Sequence, residues 1–271
     1  MYIFVAKLTF SGQMENSRRV KLMGIVNVND DSFYAGSRAA SQEAFALRVR
    51  DLLAQGADII DVGAVSSRPG SELVSCDEEW ARLEPVLRLW AKEFQHARLS
   101  LDTFRTEIVH RAYGIVGDFI VNDISAGGED ERMLPTVGLL GLQYVAMHRQ
   151  GDFLTMHGDY VYDDVVASVC GYFAEFARRA EECGVEDWIL DPGFGFSKSR
   201  EDCITLLERL PELSVFGRPV LVGISRKRMT GAAPGSDEAL RATNEMHRLA
   251  VRGGASILRV HDVAAAREAL L

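Results

Sequence analysis

The sequence predicts an α/β protein of the (β/α)8 barrel class, preceded by a short β-hairpin. Two observations carry this. Short apolar runs recur along the chain, each stopping at a polar residue and each followed by a loop and a helical pattern. Eight such runs occur with no composition break or long linker between them, and 271 residues suit one barrel of about 250. A doubly wound open sheet is the alternative, but the first run lacks the glycine-rich fingerprint that fold carries. One TIM-barrel domain is expected over residues 1–271, with 1–20 as the hairpin extension.

Taken in order, residues 3–10 alternate weakly before the turn signal Ser11-Gly12-Gln13, which reads as the hairpin. Run 22–26 ends at Asn27 and precedes a helical pattern over 42–54. Run 57–60 ends at Asp61, with a helix over 76–94. Run 99–101 ends at Asp102, run 119–121 at Asn122-Asp123, and run 144–147 at His148. Run 188–190 ends at Asp191, where Pro192 and two glycines forbid both helix and further strand. Run 220–222 leads to Ser225-Arg226-Lys227, and run 256–258 to Arg259 and His261. The last helices are expected over 238–252 and 263–271. Gly56, Gly184 and Gly254 each end a helical stretch just before a run, where a C-terminal cap belongs.

Composition excludes several classes. A formal net charge of -9 argues against a nucleic-acid phosphate binder. No apolar run approaches the roughly 20 residues that span a bilayer. The N-terminus carries no signal-peptide pattern. Cys76, Cys170, Cys183 and Cys203 have no metal-ligand or redox spacing, so they read as reduced thiols of a cytoplasmic protein.

A barrel gathers its strand C-terminal ends at one mouth. That mouth would hold Asn27, Asp61, Asp102, Asn122, His148, Asp191, Lys227, Arg259 and His261. Strand-end Asp and Asn also cap following helices, and Asp61 is the best candidate for that structural role. Asp123 alternates with Asn122 and should point away from the mouth. Separated carboxylates and an Asn suit a planar, amide-rich heterocycle, accepting from a ring N–H and an exocyclic amine. Arg259 and His261, one strand step apart on one face, suit an anionic phosphate. Lys227 adds a mobile cation. Ser66-Ser67-Arg68-Pro69-Gly70 supplies hydroxyls and a guanidinium on a loop long enough to cover the mouth.

These residues together resemble the dihydropteroate synthase family. The matching pieces run in order from Met23 to Asp262: Met23-Gly24-Ile25-Val26-Asn27-Val28 with Asp31-Ser32-Phe33, Gly56 through Gly63, and Ser66 through Gly70. Asp102-Thr103, Asn122-Asp123-Ile124, Met147-His148, Asp191 through Phe196, Ser225-Arg226-Lys227 and Arg259 through Val263 follow. The resemblance implies condensation of 6-hydroxymethyl-7,8-dihydropterin diphosphate with p-aminobenzoate, giving 7,8-dihydropteroate and diphosphate. It implies that Asp102, Asn122, Asp191 and Lys227 hold the pterin. Asn27, Ser67, Arg259 and His261 would hold the diphosphate, with Mg²⁺ bridging it to Asn27. Arg68, Pro69, Phe196 and Arg228 would serve the p-aminobenzoate site, where sulfonamides compete. Asp102, Lys227 and Asn27 would carry the catalysis, and the protein would be a homodimer through its last two helices.

The chain departs from the family pattern at several places. Asn29-Asp30 replaces Thr-Pro, Val65 a Glu, Ser67 a Thr, Arg149 a Met and Arg228 a Ser. Arg228 would pair the aminobenzoate carboxylate more strongly or obstruct it. These changes cluster on the aminobenzoate side rather than in the pterin pocket. Two other readings share that pocket: a methyltetrahydrofolate methyltransferase domain, and a catalytically silent pterin-binding paralogue. Neither needs Arg259, His261 or Ser225-Arg226-Lys227.

Overall fold

Among the described residues, eight parallel strands, alternating with helices, close into a barrel. The computed structural model describes residues 19–28, 38–67, 70–233 and 236–271. The hairpin expected over 3–10 lies outside the described residues, as do Asn29, Asp30, Arg68 and Pro69. The strands are β1 (Lys21–Asn27), β2 (Ile59–Gly63), β3 (Arg98–Asp102), β4 (Ile120–Asp123), β5 (Gln143–Met147), β6 (Trp188–Asp191), β7 (Leu221–Val222) and β8 (Ile257–Val260). They lie in the order β6-β5-β4-β3-β2-β1-β8-β7. A parallel bridge between Leu190 and Val220 joins the two ends, and the Leu190 amide donates to the Pro219 carbonyl at 2.9 Å. Strand β7 is shorter than a full run because Pro219 has no N–H to extend the ladder.

The helices are α1 (Arg38–Ala54), α2 (Cys76–Glu93), α3 (Thr106–Val116), α4 (Met133–Leu140), α5 (Val165–Glu182), α6 (Arg200–Glu208), α7 (Asp237–Arg252) and α8 (Val263–Ala269). α1 starts four residues earlier than its apolar pattern, and α8 stops two residues before the expected Leu271. Side chains fix several starts. Ser75 and Glu78 form a capping box on α2, Ser199 and Asp202 form one on α6, and Asp164 caps α5 by accepting from Val166 and Ala167. Gly56, Gly184 and Gly254 take positive φ after α1, α5 and α7, as their placement predicts.

Outward strand residues such as Leu22, Val26, Ile60, Val121 and Leu190 pack against the helices in one continuous core. Each such fully buried side chain contributes about 1.5–3 kcal/mol. Inside the barrel, Met23, Ile59, Ile120, Val145, Ile189, Leu221 and Ile257 form an apolar layer. Strand side chains alternate, so the residue two places on faces the same way. On β2, β4, β6 and β8 those residues are Asp61, Asn122, Asp191 and Arg259. The same alternation brings Asn27 and Asp102 to the inner rim. The barrel interior thus changes from apolar to ionic in a single step.

Gly138 in α4 shows how closely the outer ring is packed. A Cβ there would lie 1.9 Å from the Cys183 carbonyl at the end of α5. Gly138→Ala is expected to cost about 3 kcal/mol through overpacking, lowering the thermal midpoint by roughly 10 °C. Differential scanning calorimetry checks this.

Candidate active site

The mouth at the C-terminal strand ends opens into a cavity of about 1280 Å³, lined among others by Asn27, Ser67, Asp102, Phe196, Lys227, Arg228, Arg259 and His261. Its floor is an ionic cluster. Arg259 donates from Nε to Asp61 and from Nη2 to Asp102, each at 2.7 Å. Asp61, fully buried, also accepts from Ser100 Oγ at 2.6 Å and from Asn122 Nδ2 at 3.2 Å. Asp61 is therefore not a helix cap; Ser75 performs that task for α2, and Asp61 instead fixes the orientation of Arg259 and Asn122. Asp123 faces outward, as predicted, and accepts from Tyr144 Oη and from the amides of Ser125 and Gly127.

Burial pushes the Asp102 carboxyl up to about 7, with Arg259 opposing the rise and Asp61 adding to it. Burial likewise works against the Arg259 charge, but Asp61 and Asp102 outweigh it and hold the guanidinium firmly protonated. Asp191, buried beside Gly193, is also pushed up by desolvation, against the pull of Lys227. Its Oδ1 accepts from the Gly193 amide at 2.8 Å, so it shapes the loop after β6 rather than capping α6.

That loop wraps around two lysines. Lys227 Nζ donates to the Phe194 carbonyl and lies 4.5 Å from the Phe196 ring centroid. It is pinned, where the sequence suggested a mobile cation. Burial lowers its pKa to about 8 despite Asp191. Lys198, the cation that closes the stretch after Asp191, reaches the carbonyls of Gly193 and Phe196 at 3.2 and 3.1 Å, and His148 Nδ1 at 2.8 Å. Burial brings Lys198 down to about 7 and His148 to about 2. Gly193 has φ +70°, and a Cβ there would lie 1.9 Å from the His148 carbonyl, so only glycine fits.

On the β8 side, His261 Nδ1 lies 3.1 Å from Ser225 Oγ, and Arg226 is turned away into a two-bond pair with Asp262. Arg228 stands exposed in a short turn at the rim. Asn27 and Ser67 reach the cavity from β1 and the β2–α2 loop, while Arg68 and Pro69 fall outside the described residues. Asn122 and Asp191 are buried at the strand ends, held by Asp61 and Gly193. Missing from the sequence expectations is His157, which lies on the β5–α5 loop against Ser67 and Phe196, while Lys198 stands in them only as the cation closing the stretch after Asp191, with no role assigned. Neither follows an apolar run, so no strand-end signal marks them. No group of three or more His, Cys, Asp or Glu that could hold a metal occurs among the described residues. Nor is any helix among them long and apolar enough to cross a membrane.

A barrel whose strand ends converge an acidic pair, an Asn and an Arg–His couple on one cavity has the architecture of an enzyme. Comparison with known proteins defines it further. The model of the family described as pterin binding enzyme matches residues 23–261. Dihydropteroate synthase of Escherichia coli K12 is 39% identical over 268 residues, covering 97% of this chain and 94% of the relative. The mitochondrial folate synthesis bifunctional protein of Arabidopsis thaliana is 38% identical over 91% of this chain, which spans only 48% of that relative. The crystal structure of Xanthomonas albilineans dihydropteroate synthase with 4-aminobenzoic acid superposes with a TM-score of 0.83 at 39% identity, over 93% of this chain and 91% of that one. The chain belongs to the pterin-binding enzyme family, on its dihydropteroate synthase branch.

The Asp102 carboxyl titrates higher in the folded chain than its ordinary 3.8, so ionising it costs folding free energy. Its contribution to stability is complete below about pH 4 and is lost as pH rises through about 7. Asp102→Asn removes that loss. The stability difference between pH 5 and pH 8, measured by urea denaturation of ligand-free protein, is expected to shrink in the variant.

Proposed function

We propose that this chain is a dihydropteroate synthase, joining 6-hydroxymethyl-7,8-dihydropterin diphosphate to p-aminobenzoate with release of diphosphate. The observation that carries the reading is Arg259 bonded to both Asp61 and Asp102 on the floor of a cavity that Asn27, Lys227 and His261 also line. Carboxylates accept from the amide-like N–H groups of a pterin, and a fixed guanidinium receives phosphate oxygens. Nε and one Nη2 hydrogen serve the carboxylates, which leaves the fork's other donors for the diphosphate.

In this reading Asp102, Asn122, Asp191 and Lys227 hold the pterin ring. Arg259, His261, Ser67 and Asn27 hold the diphosphate and take up charge as the carbon–oxygen bond breaks. The Asp102 carboxylate stabilises the electron-poor pterin methylene carbon. The aniline nitrogen then attacks that carbon and gives up its proton, with no strong general base needed. Phe196 packs on the aminobenzoate ring, and Arg228 pairs its carboxylate. Sulfonamides compete at that position.

Asn27 offers one neutral oxygen at the cavity, and the described residues around it form no carboxylate cage. That donor set fits Mg²⁺, which takes few protein ligands and fills its octahedron with phosphate oxygens and water. When bound, the ion supplies charge neutralisation on the leaving diphosphate. A homodimer through α7 and α8 is supported by Leu249, 47% exposed beside Leu207 and Pro211. Four free cysteines support a cytoplasmic setting.

The test incubates the protein with the pterin diphosphate and Mg²⁺, with and without p-aminobenzoate, and follows diphosphate and product mass. A dihydropteroate mass is expected. Tight pterin binding without that product would favour a silent paralogue. Arg259→Gln is expected to lower kcat/KM by about a hundredfold. Arg228→Ser is expected to raise the KM for p-aminobenzoate about tenfold, as loss of a charge-assisted bond would.

A further inference from the structure

The segment from Arg149 to Tyr160 joins β5 to α5 and walls one side of the mouth. It is tied to the loops on either side of it. Arg149, buried, pairs with Glu129 and donates from Nη1 to Met156 Sδ at 3.3 Å. Glu129 also accepts from the Phe153 amide at 2.8 Å. Towards the β6 loop, the Gln150 amide donates to Ser197 Oγ at 2.8 Å, and the Ser197 amide donates to the Met156 carbonyl at 2.7 Å. Phe153 and Met156 sink into an apolar cluster with Phe104, Ile124 and Met147. A segment fixed by buried contacts and paired backbone groups resists local opening, so it presents its remaining side chains at defined positions.

Among the residues it presents to the mouth, with Asp159 and Tyr160, is His157. Its Nε2 lies 2.7 Å from the Ser67 carbonyl, and since a carbonyl only accepts, Nε2 carries the proton. The imidazole stacks on Phe196, with ring centroids 5.4 Å apart and planes 27° apart. Nδ1 is buried without a hydrogen-bond partner among the described residues, so the ring depends on those two contacts for its position. Phe196 belongs to the second-substrate side of the cavity, and Ser67 is gripped through its main-chain carbonyl rather than through the hydroxyl that serves the diphosphate. Neither contact involves Asp61, Asp102, Asn122 or Asp191.

We propose that His157 is a specificity-determining residue for the second substrate. By gripping the Ser67 main chain and the Phe196 ring together, it sets the width of the subsite that receives the aromatic amine. Of the pterin residues, Asp102, Asn122 and Asp191 stand on strands and make no contact with it, while Lys227 shares the Phe196 ring. This inference rests on the transfer reaction proposed above.

The test is steady-state kinetics with each substrate varied in turn, on wild type and on His157→Ala, His157→Gln and His157→Phe. Gln keeps an N–H donor for Ser67 and gives up the ring, whereas Phe keeps the ring and gives up the donor. His157→Ala is expected to raise the KM for p-aminobenzoate about tenfold, as loss of one hydrogen bond and one ring contact would, with the KM for the pterin diphosphate within about twofold of wild type. Gln and Phe should each restore part of the difference, which a merely structural defect would not show. An equal rise in both KM values, or no change in either, overturns the role of His157. A wild-type protein that makes no dihydropteroate overturns the reaction itself. If His157→Ala fails to fold, the same split read from the Gln and Phe variants decides the matter.

Discussion

One guanidinium between two carboxylates organises the mouth of this barrel. Arg259 reaches from β8 across to Asp61 on β2 and Asp102 on β3. Asp102 is cut off from solvent on this floor, which is why its carboxyl titrates so high; Arg259 opposes the rise and Asp61 adds to it. Removing one member of a buried ion cluster costs about 3–5 kcal/mol, because the partner charge is left behind. The fold tolerates the cluster because of what lies beneath it. Seven apolar side chains from seven strands fill the barrel one layer below.

The second constraint is the loop after β6. Its carbonyls converge on two buried ammonium groups, Phe194 on Lys227 and Gly193 with Phe196 on Lys198. The winding needs positive φ at Gly193, Gly195 and Ser197, a cost the lysine bonds offset. Because both ammoniums are desolvated, their charges are readily lost, at about 8 and about 7.

Much of this is legible in the amino-acid order for one reason. In a buried parallel strand the apolar run ends where the chain leaves the barrel, so the first polar residue marks the mouth. Asn27, Asn122, Asp191 and Arg259 follow that rule, Asp102 follows it one step past the small Ser100, and the two-residue period separates Asn122, facing in, from Asp123, facing out. What was not legible depends on contacts between distant segments. Asp61 has the same local pattern as a helix-capping residue, and only its neighbours Ser100, Asn122 and Arg259 show its task. Lys198 and His157 lie in loops with no periodicity, so their partners could be found only in space. Arg149 was visible as a departure, but its pairing with Glu129 was not.

The most direct test of this account concerns the state of Asp102 when the pterin arrives. A carboxyl held near 7 by burial should be partly protonated in the free protein around neutral pH, and should ionise to accept from the pterin ring. Calorimetric titration with the pterin diphosphate at pH 6.5, in two buffers of different ionisation enthalpy, reads the protons exchanged. The account predicts net proton release in wild type that is absent in Asp102→Asn. Binding with no difference between wild type and the variant in protons exchanged would contradict it.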